Sequence, residues 1–343
     1  MIASVFAASL VASVAAAEPP LPTGRAQDFR VKTALHSIGY SGLWRGQAKL
    51  TVDEFLDKAK ELGYDGVALM TKRPHLAPGD YDANARRALR AKLDKLGLKL
   101  VFLAGYTDFT AGLDKPGIPH AEIQAAWVGE LARLAKDLGT DMVRVFTGYE
   151  RPGIPFDKQY EIVVDGLKMA GRAAAQYGVT LAVQNHHDIA LHHDAMSWLI
   201  KEVNLPNVKV GWDAWSPSLE GLSAAEMRRS VLAMKPFLIN TIAADYVRLP
   251  RFGYDNALTN YAPKDPVLRA VPRGKGIIDN GTFLRALKEI GYQGYITYEM
   301  CEVLDGGGTM ANLDRTAREF LDYAHRLDGR GKSGRGTPTA DAR

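Results

Sequence analysis

Histidine, carboxylate and amide side chains gather in a few short stretches of this chain. LAVQNHHDIALHHD, residues 181–194, holds four of the eight histidines as two adjacent pairs, His186–His187 and His192–His193. Gln184 and Asn185 come just before the first pair. GWDAWSP sets Asp213 between Trp212 and Trp215, ITYEMC sets Glu299 two residues before Cys301, and NTIAADY supplies Asn240, Thr241 and Asp245. Imidazoles and carboxylates transfer protons near neutral pH, and together they ligate divalent ions. The types fit a proton-transfer site, a metal site or a solvated loop, and their spacing alone leaves all three open.

The elements that must position these residues alternate along the chain. Strand signals lie in RVKTALHSIGY (30–40), DGVALMT (65–71), LKLVFLAGYT (98–107), DMVRVFTGY (141–149), VTLAVQN (179–185), VKVGWDAW (208–215), FLINTIAAD (237–245) and GYITYEM (294–300). Amphipathic helical stretches separate them, such as TVDEFLDKAKELG with Thr51 as N-cap and Gly63 as C-cap. The phrases ELGYDGVAL, DLGTDMVRV and EIGYQGYIT repeat one device, a helix closed by glycine two or three residues before a strand. Eight strand–helix units predict an α/β fold, a single-domain (β/α)8 TIM barrel over residues 30–327. A doubly wound open sheet is the alternative. No G-x-G-x-x-G follows the first strand, which weighs against a dinucleotide-binding version of it.

Chemistry in such a barrel sits at the C-terminal ends of the strands. Taken in order those ends carry His36, Lys72 and Arg73, Tyr106 and Asp108, Arg144 and Thr147, Gln184 and His186, Asp213, Asn240 and Asp245, and Glu299. A converging polar mouth of this kind suits a sugar or other polyol. Strand alternation points Gln184 and His186 inward and turns Asn185 and His187 away. His192 and His193 fall at the start of the next helix, so the four histidines are not expected to form one cluster. Cys301 reads as a small buried hydrophobe.

The ends differ from the body. MIASVFAASLVASVAAAEPP opens with an uncharged apolar run and an A-x-A pattern before Glu18, so residues 1–17 read as a signal peptide and 18–29 as a linker. No basic residue precedes Arg25. Residues 328–343 are polar and Gly-rich and are expected to be a disordered tail. They hold four basic and two acidic side chains, half of the formal net charge of +4. The near-neutral body argues against a nucleic-acid partner. The expected location is secreted or periplasmic, with no stable membrane association after cleavage. Cys301 is the one cysteine, so no intrachain disulfide forms.

Four strand ends in order, Q-N-H-H-D, G-W-D-A-W-S-P, A-D-Y-V-R-L-P-R-F and Y-E-M-C…G-G-G, resemble the sugar phosphate isomerase/epimerase family of the xylose isomerase-like TIM barrel superfamily. That resemblance implies one divalent ion held by Glu, Asp, His and Glu from strands five to eight. Asp213 and Glu299 match two of these, Gln184 stands at the first Glu, and the seventh-strand His has no match beyond Asn240 or Thr241. The implied ion is Mn²⁺ or Mg²⁺, with Zn²⁺ as an alternative. His186 could serve as a replacement ligand. A metal-free site in which Gln184 and Asn240 bind hydroxyls is the other reading. The implied activity is isomerisation or epimerisation of a keto-sugar through an enediolate, with Glu299, His186 and Arg144 as catalytic groups. His36, Tyr106, His187, Trp215 and Asp245 would contact the substrate. A lyase or dehydratase acting on an oxidised glycoside, and a non-catalytic sugar-binding barrel, are the alternatives. A nuclease like endonuclease IV is disfavoured, because most of the histidines of its three-zinc site are missing here. The expected partner is a small sugar, with homo-oligomers left open.

If the leader is cleaved after Ala17, N-terminal sequencing of protein exported by a bacterial host returns Glu18 as the first residue. A cytoplasmic chain still starting at Met1 contradicts the expected export.

Overall fold

Thr51 shows how the sequence starts and stops each crossover. Its side chain accepts from the Glu54 N–H while Glu54 reaches back to the Thr51 N–H, a closed capping box on α1 (Val52–Leu62). Such a cap stabilises by about 1 kcal/mol. Val52, Phe55, Leu56, Ala59 and Leu62 fall at helical spacing and are all buried. Gly63 ends the helix in the left-handed region at φ 92°, a conformation that costs glycine nothing. Gly97 and Gly139 end α2 (Ala83–Leu96) and α3 (His120–Leu138) in the same way.

The computed structural model describes residues 30–115 and 117–327. The expected leader, linker and tail lie outside the described residues. Eight parallel strands close on themselves: β1 (Lys32–His36), β2 (Gly66–Met70), β3 (Lys99–Ala104), β4 (Met142–Val145), β5 (Thr180–Gln184), β6 (Val208–Gly211), β7 (Leu238–Ala243) and β10 (Tyr295–Tyr298). The last strand shuts the barrel between β7 and β1, with Thr241 beside Ile296 and Ala34 beside Thr297. This is the (β/α)8 barrel predicted from the alternation. Ala34, Ala68, Phe102, Ala104 and Ile242 form a small inner cluster, joined by Val101 where the β2–β3 register shifts and the alternation skips a residue. Leu35, Val67, Leu69, Val143, Leu181, Val183, Val208 and Val210 belong to the larger cluster shared with the helices. Period-2 alternation therefore separates the barrel lumen from the helix-facing layer. Among the described residues no helix is long and apolar enough to cross a membrane.

Two elements have no counterpart in the sequence reading. One is α6 (Trp215–Glu220), a six-residue helix directly after Asp213. The other is an antiparallel hairpin, β8 (Tyr246–Asp255) and β9 (Asn260–Ala270), inserted after β7. Most of its side chains are exposed, including Phe252, Tyr254 and Tyr261. No face is buried, so no alternation marks it. Pro250, Pro263 and Pro266 also argue against strand when read from sequence.

Because residues 249–267 contribute almost nothing to the core, their replacement by a short Gly/Ser link should leave the melting temperature within a few degrees of the parent. Loss of cooperative unfolding by circular dichroism would show that the hairpin supports the barrel.

Candidate active site

The site is built from strand ends. His36 closes β1, Arg144 lies within β4, Gln184 closes β5, Asn240 lies within β7, and Asp213 and Glu299 follow β6 and β10. All six are buried. The strand ends thus bring together polar groups that would be costly to bury singly.

Three of them form a chain. Arg144 Nη1 donates to Gln184 Oε1 at 2.9 Å, and Gln184 Nε2 donates to Asp213 Oδ2 at 2.7 Å. A guanidinium only donates and a carboxylate only accepts, so this sets the orientation of the amide. Asp213 Oδ1 accepts from the N–H of Trp215 at 2.8 Å and of Ser216 at 3.4 Å, at the start of α6. Burial raises the Asp213 carboxyl to about 6, against the pull of these hydrogen bonds. Arg144 lies over the rings of Phe146 (4.1 Å) and Tyr106 (5.1 Å). Its Nε and Nη2 have no protein partner.

Glu299 is the second centre. Its Oε1 accepts from the Cys301 thiol at 3.1 Å and lies 3.8 Å from His36 Nε2, while Oε2 has no partner. Burial opposes ionisation of Glu299, but His36, Arg144 and the Cys301 thiol outweigh it, so the carboxyl sits below its ordinary value. His36 Nδ1 accepts from the Ile38 N–H at 3.0 Å, which leaves the proton of the neutral ring on Nε2, facing Glu299. Burial lowers His36 to about 4. Cys301 is raised well above its ordinary value, first by burial and then by Glu299, so it acts as a donor rather than a nucleophile.

An aromatic wall flanks these groups. His186 stands 5.0 Å from Phe146 and 4.8 Å from Trp215, ring to ring, and Trp215 stacks on Tyr246 at 5.0 Å. His187 stacks on Tyr149 at 3.9 Å and contacts Phe146 at 4.5 Å. Tyr149, His186, His187, Asp188, Trp215 and Glu220 are among the residues lining a groove of about 360 Å³. The expected division of the first histidine pair does not hold. β5 ends at Gln184 and His187 takes a left-handed φ of 70°, so strand alternation no longer applies and both rings line one groove. Phe146, Tyr149 and Tyr246 were not anticipated as wall residues, because aromatics near strand ends read equally well as core.

The other expected positions lie as follows. Tyr106 reaches the mouth beneath Lys72, whose Nζ is 3.9 Å from its ring centre, and its hydroxyl lies near the Arg144 guanidinium without a well-formed hydrogen bond. Asp245 requires correction as a substrate contact. Its oxygens accept four backbone N–H groups, from Tyr246, Gly274, Gly276 and Ile278, and anchor the loop after the hairpin. His192 caps α5 (His193–Val203), and His193 is buried in its first turn. Those two and Asp194 bring ligand atoms within 4.8 Å of one another, but on the start of a helix, apart from the mouth groups. A cavity of about 640 Å³ lined by Arg30, Lys32, Tyr64, Lys99 and Tyr295 opens at the opposite, N-terminal end of the barrel. None of the site groups lines it.

A family model described as xylose isomerase-like TIM barrel matches residues 56–323. The chain belongs to the xylose isomerase-like TIM barrel family. Solved structures share its fold at low identity. D-psicose 3-epimerase from Clostridium cellulolyticum H10 is 16% identical with a TM-score of 0.64, covering 87% of this chain and 99% of its own. The 3-keto-D-glucoside 4-epimerase of E. coli is 15% identical with a TM-score of 0.63, covering 87% and 100%. The probable 3-DHS dehydratase AsbF of Bacillus anthracis is 16% identical with a TM-score of 0.61, covering 86% and 100%. No curated protein matches the chain.

The xylose isomerase-like family resemblance led to Gln184, Asp213, Asn240 and Glu299 as ligands of a divalent ion. As arranged, these residues do not fit one. The Gln184 oxygen accepts from a guanidinium, and its NH₂ is turned onto the Asp213 oxygen that an ion would need. Asp213 Oδ1 is held by two backbone donors. Of the four side chains, only Asn240 Oδ1 and Glu299 Oε2 keep an unpartnered oxygen. From β7, Ile242 joins the inner apolar cluster and supplies no donor atom.

The histidines fix the pH response of stability. Burial lowers His36 and His186 to about 4 and His187 to about 3, from an ordinary 6.5. Between 6.5 and about 4 the unfolded chain binds the extra protons, so acidification destabilises the fold. Asp213, raised to about 6, and Glu220, also raised by burial, work the other way, but His75 and His193 are lowered alongside the three mouth histidines. The melting temperature should fall from pH 7 to pH 5, and the H186N/H187N double variant should flatten that limb. A melting temperature that rises on acidification contradicts the assignment of neutral rings to buried His36 and half-buried His186 and His187.

Proposed function

We propose that this chain is a sugar isomerase or epimerase that abstracts a proton next to the carbonyl of a keto-sugar. The observation that carries this reading is the pairing, in one buried mouth, of a carboxylate oxygen without a partner, Glu299 Oε2, and a guanidinium with two unpartnered nitrogens, Arg144 Nε and Nη2. An ionised carboxylate with a free lone pair is a base. A fixed cation opposite it stabilises the oxyanion that forms as the base takes its proton.

The chemistry follows from those groups. Glu299 takes the α-proton. The C–H electron pair forms the enediolate double bond, and the carbonyl π pair moves to oxygen, against the Arg144 N–H groups. Return of the proton from Glu299 to the neighbouring carbon, with the enediol hydroxyl proton passing to the former carbonyl oxygen, gives isomerisation. Delivery of a proton to the opposite face of the same carbon gives epimerisation; His186 lines the groove but, being neutral through burial, must first accept the proton it delivers. His36 Nε2–H and the Cys301 thiol face Glu299 Oε1, which leaves Oε2 as the reacting atom. The groove walls of His186, His187, Tyr149 and Trp215 offer flat faces to the C–H surface of a sugar ring.

The likeness in fold to a dehydratase supports elimination as a second reading. The first step is the same, and the enediolate then expels a β-leaving group. A secreted or periplasmic location, proposed from the leader-like N-terminus, points to free sugars or oxidised glycosides over sugar phosphates, which are largely cytosolic.

The assay is exchange of the α-proton with deuterated water, followed by NMR over a panel of keto-sugars and 3-keto-glycosides. E299Q should lower exchange by about 100-fold or more. W215A should raise KM with a smaller effect on kcat, and H192A should leave turnover unchanged. Full exchange in E299Q places the base elsewhere.

A further inference from the structure

We propose that Arg144 supplies the positive charge that the reaction needs, so that the chain works without a divalent ion. This rests on the isomerase reading above for its chemistry, but not for its binding tests. The case begins with Gln184. Its oxygen is 2.9 Å from Arg144 Nη1 and its nitrogen 2.7 Å from Asp213 Oδ2. Reversing the amide would set N–H against guanidinium and carbonyl against carboxylate, so the neighbours lock it. An ion between Gln184 and Asp213 would have to break both bonds and sit beside a guanidinium of the same sign.

Arg144 is placed to act as the cation itself. Its backbone is part of β4, where Arg144 pairs with Ala104 and Ala182 on the adjoining strands. Its guanidinium lies over Phe146 and Tyr106 and is tied to Gln184, so it is preorganised. The side chain is 1% exposed, yet no carboxylate lies within ion-pairing distance of it among the described residues. Nε and Nη2 are buried without a partner. A buried guanidinium with two unused N–H groups calls for an anionic oxygen pair, and an enediolate is planar and supplies one. Lys72 Nζ, over the Tyr106 ring at 3.9 Å, adds a second positive group at the rim. In the step itself the carbonyl oxygen gains the negative charge against Arg144 while Glu299 gains the proton. No further reactant is consumed.

Two binding measurements on the full chain after chelator treatment test this independently of turnover. In the first, Mn²⁺ is titrated by calorimetry and by its EPR signal. No saturable equimolar site of micromolar affinity is expected. A site of that strength, lost in E299Q, overturns the proposal whatever the activity. In the second, a five- or six-carbon aldonate serves as the probe, its carboxylate standing in for the planar enediolate oxygens. Wild type should bind it, and R144A, folded by circular dichroism, should not. Equal binding by both, or by neither, overturns the role given to Arg144. With a substrate from the exchange panel, turnover should survive EDTA, fall by about 100-fold or more in R144A, and recover in part with added guanidinium. Turnover that EDTA abolishes and Mn²⁺ restores overturns the proposal. If no keto-sugar exchanges at all, the isomerase reading fails, and the two binding results still decide on the ion and on Arg144.

Discussion

A guanidinium on a barrel strand is stripped of most of its water and cannot lose its charge, so the side chains packed around Arg144 must accept from it or stack on it. Its well-formed hydrogen bond among the described residues goes to the Gln184 carbonyl, and the Tyr106 hydroxyl lies close by. That bond orients the amide, the amide holds Asp213, and Asp213 in turn captures the first N–H groups of α6. Trp215 opens α6 and stacks between His186 and Tyr246. The aromatic wall of the groove thus depends, through four contacts, on one buried charge. Removing that charge should disturb the wall as well as the mouth.

The same burial divides the titratable groups by role. His36, His186 and His187 are pushed towards neutrality by burial first, and Asp213 is pushed towards protonation. Glu299 alone among the buried mouth acids is held below its ordinary value, because neighbouring positive charge and a thiol donor outweigh its desolvation. Environments that move two carboxyls in opposite directions are a means of assigning acid and base within one site. Here they leave Glu299 ionised, with Oε2 free, and leave Asp213 structural.

The barrel was legible in the sequence because each unit carries its own punctuation. Thr51 and Gly63 mark a helix by chemistry that needs no tertiary context, and continuous apolar runs such as GVALM and KLVFLA mark strands buried on both faces. The hairpin of β8 and β9 was not legible, since alternation arises from one buried face and this ribbon has none. The six strand-end residues of the mouth were legible from topology alone. Which way each side chain points beyond a strand was not. His187 turns at a left-handed φ that nothing in Q-N-H-H-D signals, and Asp245 spends its oxygens on a loop thirty residues downstream. Those outcomes depend on backbone paths that local sequence does not encode.

Charge balance explains why Gln184 and Arg144 belong together. The ligand set implied by the family resemblance, three carboxylates about one ion of charge +2, carries a net charge of −1. Asp213 and Glu299 with Arg144 carry the same net −1. Had Gln184 been glutamate, two carboxylates would face each other at the 2.7 Å now spanned by an amide–carboxylate hydrogen bond, and like charges at that separation do not both ionise without a cation between them. With Gln184 as the amide, the position donates to one neighbour and accepts from the other. The guanidinium is then the only positive charge the pair of acids requires. The amide on β5 and the cation on β4 thus act as one charge-balanced unit with Asp213 and Glu299. Gln184→Glu alone should cost stability, and removing Arg144 with it should cost more, because three buried carboxylates would then have no positive charge among them.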